Sequence, residues 1–273
     1  MTLNCQGAMI DLNTPRVMGI LNLTPDSFYD GGRYNEVLSA QKQTEKMIED
    51  GATFIDVGAA SSKPGANILS PSEEEKRLFP ILKALLHSFP DSLFSIDTYH
   101  SITAEKALDM GIAMINDISG GNLDTNMYET VGRFSVPYVC MHMQGNPKNM
   151  QNKPTYDAII EEQLLFFSRK IKQIQEAGVH DVIIDPGFGF GKTTAHNFEI
   201  LNGLEHYNRL KAPIMVGLSR KSMIYKTLGI TAVEALNGTT ALHVVALQKG
   251  AHLLRVHDVK EAVQTIDLLQ ALN

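Results

Sequence analysis

The sequence predicts an α/β protein folded as one (β/α)8 barrel, the TIM-barrel architecture, in a single domain over residues 1–273. Three observations carry this. Eight short runs rich in Val, Ile, Leu and Met recur along the chain, nearly all end in a polar residue, and the stretches between them show helical periodicity. The runs are residues 17–22, 54–56, 93–97, 113–116, 138–142, 182–185, 214–218 and 252–255. Apolar on both faces, they suit parallel strands covered on two sides. Their polar ends fall at 22, 56, 97, 116, 142, 185, 219 and 255, with spacings of 34, 41, 19, 26, 43, 34 and 36 residues. Eight units therefore fill the chain. No Pro/Ser-rich linker or charge run divides it, so a closed barrel is preferred over a doubly wound open sheet.

The intervening segments carry helix signals. Ser70-Pro71-Ser72-Glu73 has the form of a capping box with Pro at the first helical position, and Leu78, Leu82, Leu85 and Phe89 follow at helical spacing. Ile160, Leu164, Phe167, Ile171 and Ile174 form a second stripe, and Val259, Ala262, Ile266 and Leu269 a third. Gly51, Gly111, Gly178 and Gly250 each stand where a helix should stop shortly before a strand, as a left-handed C-terminal cap requires.

Composition narrows the function. The chain is globular, with 44% hydrophobic and 20% charged residues and no 18-residue apolar window, so a membrane span is excluded. Twenty-four Lys plus Arg against thirty Asp plus Glu give −6, and no basic block offsets it. Nucleic acid and anionic membrane are excluded as partners, leaving a small ligand. The segment before Arg16 has neither a basic nor an apolar region of export-signal type, and Cys5 and Cys140 lack CxxC spacing. Reduced thiols in a cytoplasm are expected.

In a barrel the C-terminal strand ends converge on one mouth. That makes neighbours of Asn22, Asp56, Asp97, Asn116, His142, Asp185, Ser219, Lys221 and Arg255. The loop from Asn22 to Gly32 is long and rich in turn formers, as a lid would be, and carries the aromatic pair Phe28 and Tyr29. Ser61-Ser62-Lys63-Pro64-Gly65, after the second strand, suits an anion or carboxylate. Asp185-Pro186-Gly187-Phe188-Gly189-Phe190-Gly191-Lys192-Thr193 ends like a phosphate loop, but Pro186 stands where that motif needs Gly, and no GxGxxG follows. What remains is a carboxylate, a flexible turn, and Phe188 and Phe190 to line a pocket. Ser219-Arg220-Lys221-Ser222 and Arg255-Val256-His257-Asp258 follow strands seven and eight, where many barrels hold phosphate.

The nine His show no zinc spacing, and His142 reads equally as a satisfied barrel residue or a ligand. Asn22 beside a bound phosphate could share Mg²⁺ with it. The twelve Met read mostly as core filler. No nucleophilic elbow is present, while Lys221 keeps a Schiff-base aldolase open. Asp97, Asn116 and Asp185 can pair with a flat heterocycle rich in N–H donors, and Lys221 can meet its carbonyl or a ring nitrogen. A pterin has that edge. Arg255 could stack its guanidinium on such a ring and still reach a phosphate.

These segments, together with Asn22-Leu23-Thr24-Pro25-Asp26-Ser27-Phe28, Ser95-Ile96-Asp97-Thr98 and Asn116-Asp117-Ile118-Ser119-Gly120, resemble those of the dihydropteroate synthase family in order from about residue 14 onward. The resemblance implies condensation of 6-hydroxymethyl-7,8-dihydropterin diphosphate with p-aminobenzoate, giving dihydropteroate and diphosphate in folate biosynthesis, with Mg²⁺, in a sulfonamide-sensitive homodimer. It implies a pterin site of Asp97, Asn116, Asp185, Lys221, Arg255, Met141 and Phe190. The p-aminobenzoate pocket would be Phe28, Ser62, Pro64, Phe190, Lys221 and Ser222. Asn22, Ser62, Lys63, Arg255 and His257 would hold diphosphate, Asn22 would hold the metal, and Asp97, Lys221, Arg255 and Asp30 would be catalytic. Loop two departs from the family: Ala60 stands where an acidic residue is usual and Lys63 where Arg is usual, which would alter loop closure or diphosphate contact. A pterin-dependent methyltransferase and a non-catalytic pterin-binding protein are the alternatives.

Overall fold

The computed structural model describes residues 1–23, 32–59 and 69–272, the side chains of residues 32–34 apart. Its chain order is β1 (Thr2–Cys5), β2 (Ala8–Asp11), β3 (Arg16–Asn22), α1 (Gly32–Glu49), β4 (Phe54–Gly58), α2 (Pro71–Ser88), β5 (Leu93–Asp97), α3 (Ser101–Asp109), β6 (Met114–Asp117), α4 (Met127–Gly132) and β7 (Tyr138–Met141). Then follow α5 (Ile159–Glu176), β8 (Val182–Asp185), α6 (Thr194–Asn202), β9 (Met215–Val216), α7 (Ser222–Leu228), α8 (Leu236–Gln248), β10 (Leu253–Val256) and α9 (Val259–Gln270). The sheet runs β8-β7-β6-β5-β4-β3-β10-β9 with every pairing parallel, and a parallel bridge from Ile184 to Ile214 joins its two ends. The predicted (β/α)8 barrel is the observed fold. All eight predicted runs carry a barrel strand, although the seventh, read over residues 214–218, is reduced to Met215–Val216.

Local signals hold as well. Ser70 and Glu73 form the reciprocal capping box at the start of α2, Leu78, Leu82 and Leu85 are its buried stripe, and Gly51, Gly111, Gly178 and Gly250 sit at φ between 94° and 101°. Unforeseen is the antiparallel hairpin of β1 and β2, turned at Gln6 and Gly7 with φ of 52° and 92°, the signature of a type I′ turn. Its Leu3 and Cys5, with Leu12, pack on Met18, Phe54, Met114, Val139, Ile183, Met215 and Leu253. The hairpin therefore plugs the barrel end opposite the strand C-termini. Cys140 lies in the separate core layer between strands and helices, and both cysteines are free.

Strand alternation explains how a polar site grows from this core. Phe54, Met114, Ile183 and Leu253 point into the barrel floor, while Ile55, Ile115, Ile184 and Leu254 face the helices. Two residues above each floor residue, on the same inward face, stand Asp56, Asn116, Asp185 and Arg255. Apolar floor and polar mouth are thus successive layers of the same strands.

Candidate active site

Arg255, on β10, is the hub of the mouth. Its Nε donates to Asp56 Oδ2 at 2.6 Å and its Nη2 to Asp97 Oδ2 at 2.9 Å, crossing the barrel to β4 and β5. Asp56 Oδ2 also accepts from Asn116 Nδ2 at 2.8 Å. Asp56 is fully buried, and Arg255 is 16% exposed, so these are charge-assisted bonds in a poorly hydrated setting. Asp56, placed at the mouth by the sequence but given no role there, turns out to hold both the cation and the amide in place.

Asp185 lies at the end of β8, where its Oδ1 accepts from Gly187 N at 2.7 Å. Lys221, immediately before α7, sends Nζ to the Phe188 carbonyl and over the Phe190 ring, 4.6 Å from its centroid. Gly217 faces the same space: a Cβ there would lie 3.8 Å from Asp185 Oδ2, 3.9 Å from Lys221 Nζ and 3.9 Å from Arg255 Cβ. The three groups therefore border an open gap floored by bare backbone. Tyr99, Ile118, Met141, Met143, Met150 and Phe190 form an apolar cluster alongside, so these three methionines belong to the mouth and not to the general core. A cavity of about 770 Å³ continues from Phe190 and Lys221 past Ser222 to Asn22 and His257.

Burial sets the charge states. It pushes Asp97 up to about 7 despite the Arg255 cation, raises Asp185 against the opposing pull of Lys221, and pushes Lys221 down to about 8 despite Asp185. The ring of His257, whose Nδ1 is 3.1 Å from Ser219 Oγ, is held down to about 4 by desolvation and by Arg255, Arg220 and Lys221. It is neutral at physiological pH.

Several residues singled out in the sequence have other duties. Phe188 borders the cavity as expected, but its side chain is fully buried in the outer core and its carbonyl is the group that accepts from Lys221. Arg220, at φ 53°, is locked to Asp258 by paired bonds of 2.8 and 2.9 Å. Lys192 is buried with Nζ on the carbonyls of His142 (3.1 Å) and Phe190 (2.9 Å), and Thr193 caps α6; the end of the apparent phosphate loop is a brace for the turn. His142 is satisfied through Gln163 at 3.0 Å. Phe28, Asp30, Ala60, Ser62, Lys63 and Pro64 lie outside the described residues.

Asn22, at the top of β3, shares the cavity with His257. Among the described residues no cluster of three or more His, Cys, Asp or Glu could cage a metal. One amide oxygen beside a diphosphate does fit Mg²⁺, which keeps water and phosphate oxygens in its shell.

The model of the family described as pterin binding enzyme matches residues 18–257, from within the first barrel strand to just past the last. Dihydropteroate synthase of Escherichia coli K12 is 41% identical over 273 residues, covering 99% of this chain and 96% of its own. The chain belongs to the dihydropteroate synthase family. It is an enzyme, a transferase of folate biosynthesis. Among solved structures, the Yersinia pestis synthase in complex with a sulfonamide drug superposes with a TM-score of 0.93 at 39% identity, covering 100% of this chain and 99% of that one. The Thermus thermophilus synthase with 4-aminobenzoate gives 0.90 at 34% identity and full coverage of both chains.

Proposed function

We propose that this barrel mouth joins 6-hydroxymethyl-7,8-dihydropterin diphosphate to p-aminobenzoate by positioning and charge, without a covalent enzyme intermediate. The observation that carries it is the gap over Gly217, bordered by Asp185, Lys221 and Arg255 beside the Asp56-anchored Asn116. A flat pterin laid there offers its N–H edge to Asp185 and to the Asn116 amide oxygen, and its carbonyl or a ring nitrogen to Lys221. Arg255 and Met141 bound the ring, and Phe190 separates it from the second-substrate side of the cavity.

The diphosphate leaves toward Asn22, His257 and the Arg255 guanidinium, with Ser62 and Lys63 of loop two. Asn22 and the substrate's own oxygens would hold Mg²⁺, which would supply charge neutralisation for the departing group. As the carbon–oxygen bond breaks, its electron pair goes to diphosphate and Asp97 steadies the cationic pterin methylene. The aniline nitrogen of p-aminobenzoate, lodged against Phe190, Lys221 and Ser222 with Phe28 and Pro64, forms the new carbon–nitrogen bond. The anilinium is acidic enough to lose its proton without a strong base, and Asp30 belongs to the same catalytic set.

In this reading residues 1–273 act as one unit, in the cytoplasm, as a homodimer. Exposed Leu228, Val233, Leu268 and Leu272 on the late helices and their connection support self-association, and sedimentation velocity at micromolar concentration measures it. Among the described residues no single helix is long and apolar enough to cross a membrane. Inhibition by a sulfonamide competing with p-aminobenzoate follows from the same pocket.

The test is diphosphate release from the dihydropterin diphosphate, with and without p-aminobenzoate and with and without Mg²⁺, while dihydropteroate is followed by chromatography. Product in step with diphosphate is expected. Tight pterin binding without product would replace the reaction with a binding role.

A further inference from the structure

Asp97 is the last residue of β5, and three contacts fix its place. A Cβ on Gly58 would lie 3.2 Å from Asp97 Cβ, so the side chain rests on bare β4 backbone. Arg255 holds Oδ2 from across the mouth. The third hold acts through the next residue. Thr98 N donates to the Asn116 carbonyl at 3.1 Å, tying the turn to the neighbouring strand, and Thr98 Oγ1 accepts from His100 N at 3.1 Å. Its proton is then directed to Glu74 Oε2, 2.9 Å away.

Glu74 is an unusual partner. It belongs to the acidic triplet opening α2, where Glu73 closes the capping box on Ser70 and Glu75 pairs with Lys106 at the surface. Glu74 turns inward and is 1% exposed. Its carboxyl faces two buried hydroxyls, Thr103 and Thr98, and among the described residues Oε1 and Thr103 Oγ1 do not meet at ordinary hydrogen-bond geometry, whereas Oε2 and Thr98 do. Burying a carboxyl opposes folding unless its oxygens are satisfied, and the cap of this helix is already closed by Glu73. Of these two hydroxyl contacts, the one at hydrogen-bond geometry goes to the residue beside Asp97.

We propose that Glu74 is a positioning residue for the pterin site, acting through the Thr98 hydroxyl to hold the Asp97–Thr98 turn where Asp97 meets the pterin. The inference rests on the reaction proposed above and deepens it. Glu74 is faced by His100 and Glu75, and Asp97 by Arg255, Asp56, Asp117 and Glu74 itself. Burial raises the Glu74 carboxyl above its ordinary range, and what Thr98 Oγ1 uses is one acceptor oxygen, Oε2. Gln preserves that oxygen.

The experiment compares wild type, Glu74→Gln, Glu74→Ala and Thr98→Val by calorimetric titration with 6-hydroxymethyl-7,8-dihydropterin diphosphate and by steady-state kinetics in both substrates. Glu74→Gln should stay within about twofold of wild type. Glu74→Ala and Thr98→Val should each weaken pterin binding tenfold or more while KM for p-aminobenzoate moves less than twofold. Wild-type pterin affinity in Thr98→Val, an equal loss for both substrates, or a Glu74→Gln as impaired as Glu74→Ala overturns the proposal. If Glu74→Ala does not fold, the near-isosteric Thr98→Val decides alone. Absence of product with wild-type enzyme would instead sink the reaction itself.

Discussion

Replacing Asp56 by Asn isolates the electrostatic part of the mouth. The amide keeps the shape and one acceptor oxygen, but Arg255 loses the carboxylate 2.6 Å from its Nε and retains only Asp97 at 2.9 Å. Outright loss of a partner from a buried ion pair costs about 3–5 kcal/mol, and a hydrogen bond to a charged group is worth about 1.5–3 kcal/mol. With Asp97 and one acceptor surviving, the loss should be about 2–3 kcal/mol. For a domain of this size each kcal/mol lowers the melting temperature by about 2–4 °C, so calorimetry at pH 7.5 should show a fall of about 4–12 °C. Function should suffer separately. Asp56 Oδ2 also orients the Asn116 amide, and an Asn at position 56 cannot serve Arg255 and Asn116 with one fully charged oxygen. A fall of at least tenfold in kcat/KM for the dihydropterin diphosphate is expected, with KM for p-aminobenzoate little changed. A melting temperature within about 1 °C of wild type together with unchanged pterin kinetics would show that Arg255 is held without Asp56, and the hub would be wrongly assigned.

The pH dependence follows from two groups that burial drives toward each other. In the proposed reaction Asp97 acts ionised, so kcat/KM for the pterin diphosphate should fall as pH drops below about 7, and Lys221 acts protonated, so it should fall again above about 8. A flat profile between pH 6 and 9 would refute both roles, and Lys221→Arg should carry the alkaline limb upward. Two glycines should separate fold from function. At Gly187, φ is 72° and a Cβ would lie 2.1 Å from the His142 carbonyl, so Gly187→Ala should lose about 2–6 kcal/mol in denaturant titration. At Gly217 the nearest atom is 3.8 Å away, so Gly217→Ala should melt normally while its methyl fills the gap and weakens pterin binding at least tenfold. Lys192→Met removes the brace on the His142 and Phe190 carbonyls at nearly constant volume; a loss of about 1–3 kcal/mol and a raised KM for p-aminobenzoate are expected, the latter measured by initial rates.

The barrel was legible because period and spacing report burial directly, and each strand end is marked by a polar residue breaking an apolar run. The N-terminal hairpin was not, since its buried residues Leu3 and Cys5 make only one alternation around Asn4 and its Gln6-Gly7 turn is not one of the strong hairpin pairs. Glu74 was hidden for a different reason: among Glu73, Glu74 and Glu75 only the direction of a side chain distinguishes a cap, a buried holder and a surface ion pair. Lys192 likewise carries the letters of a phosphate motif, and only its two carbonyl partners reveal a brace.

Asp56 and Asp97 show how far the sequence could have been pressed. They end similar runs, Phe54-Ile55-Asp56 and Ser95-Ile96-Asp97, and the sequence places both at the mouth but gives only Asp97 a role there. Register separates them: Asp56 pairs with Ser95, placing Asp97 two residues higher in the barrel. Asp56 is also the third residue of β4, with Val57 and Gly58 still in the ladder beyond it, whereas Asp97 is the last of β5. One layer of depth separates the carboxylate proposed to meet substrate from the one that holds Arg255 and Asn116. A strand-end acid in such a barrel is therefore assigned by its height above the apolar floor, and that height depends on inter-strand stagger, which no single run of letters encodes.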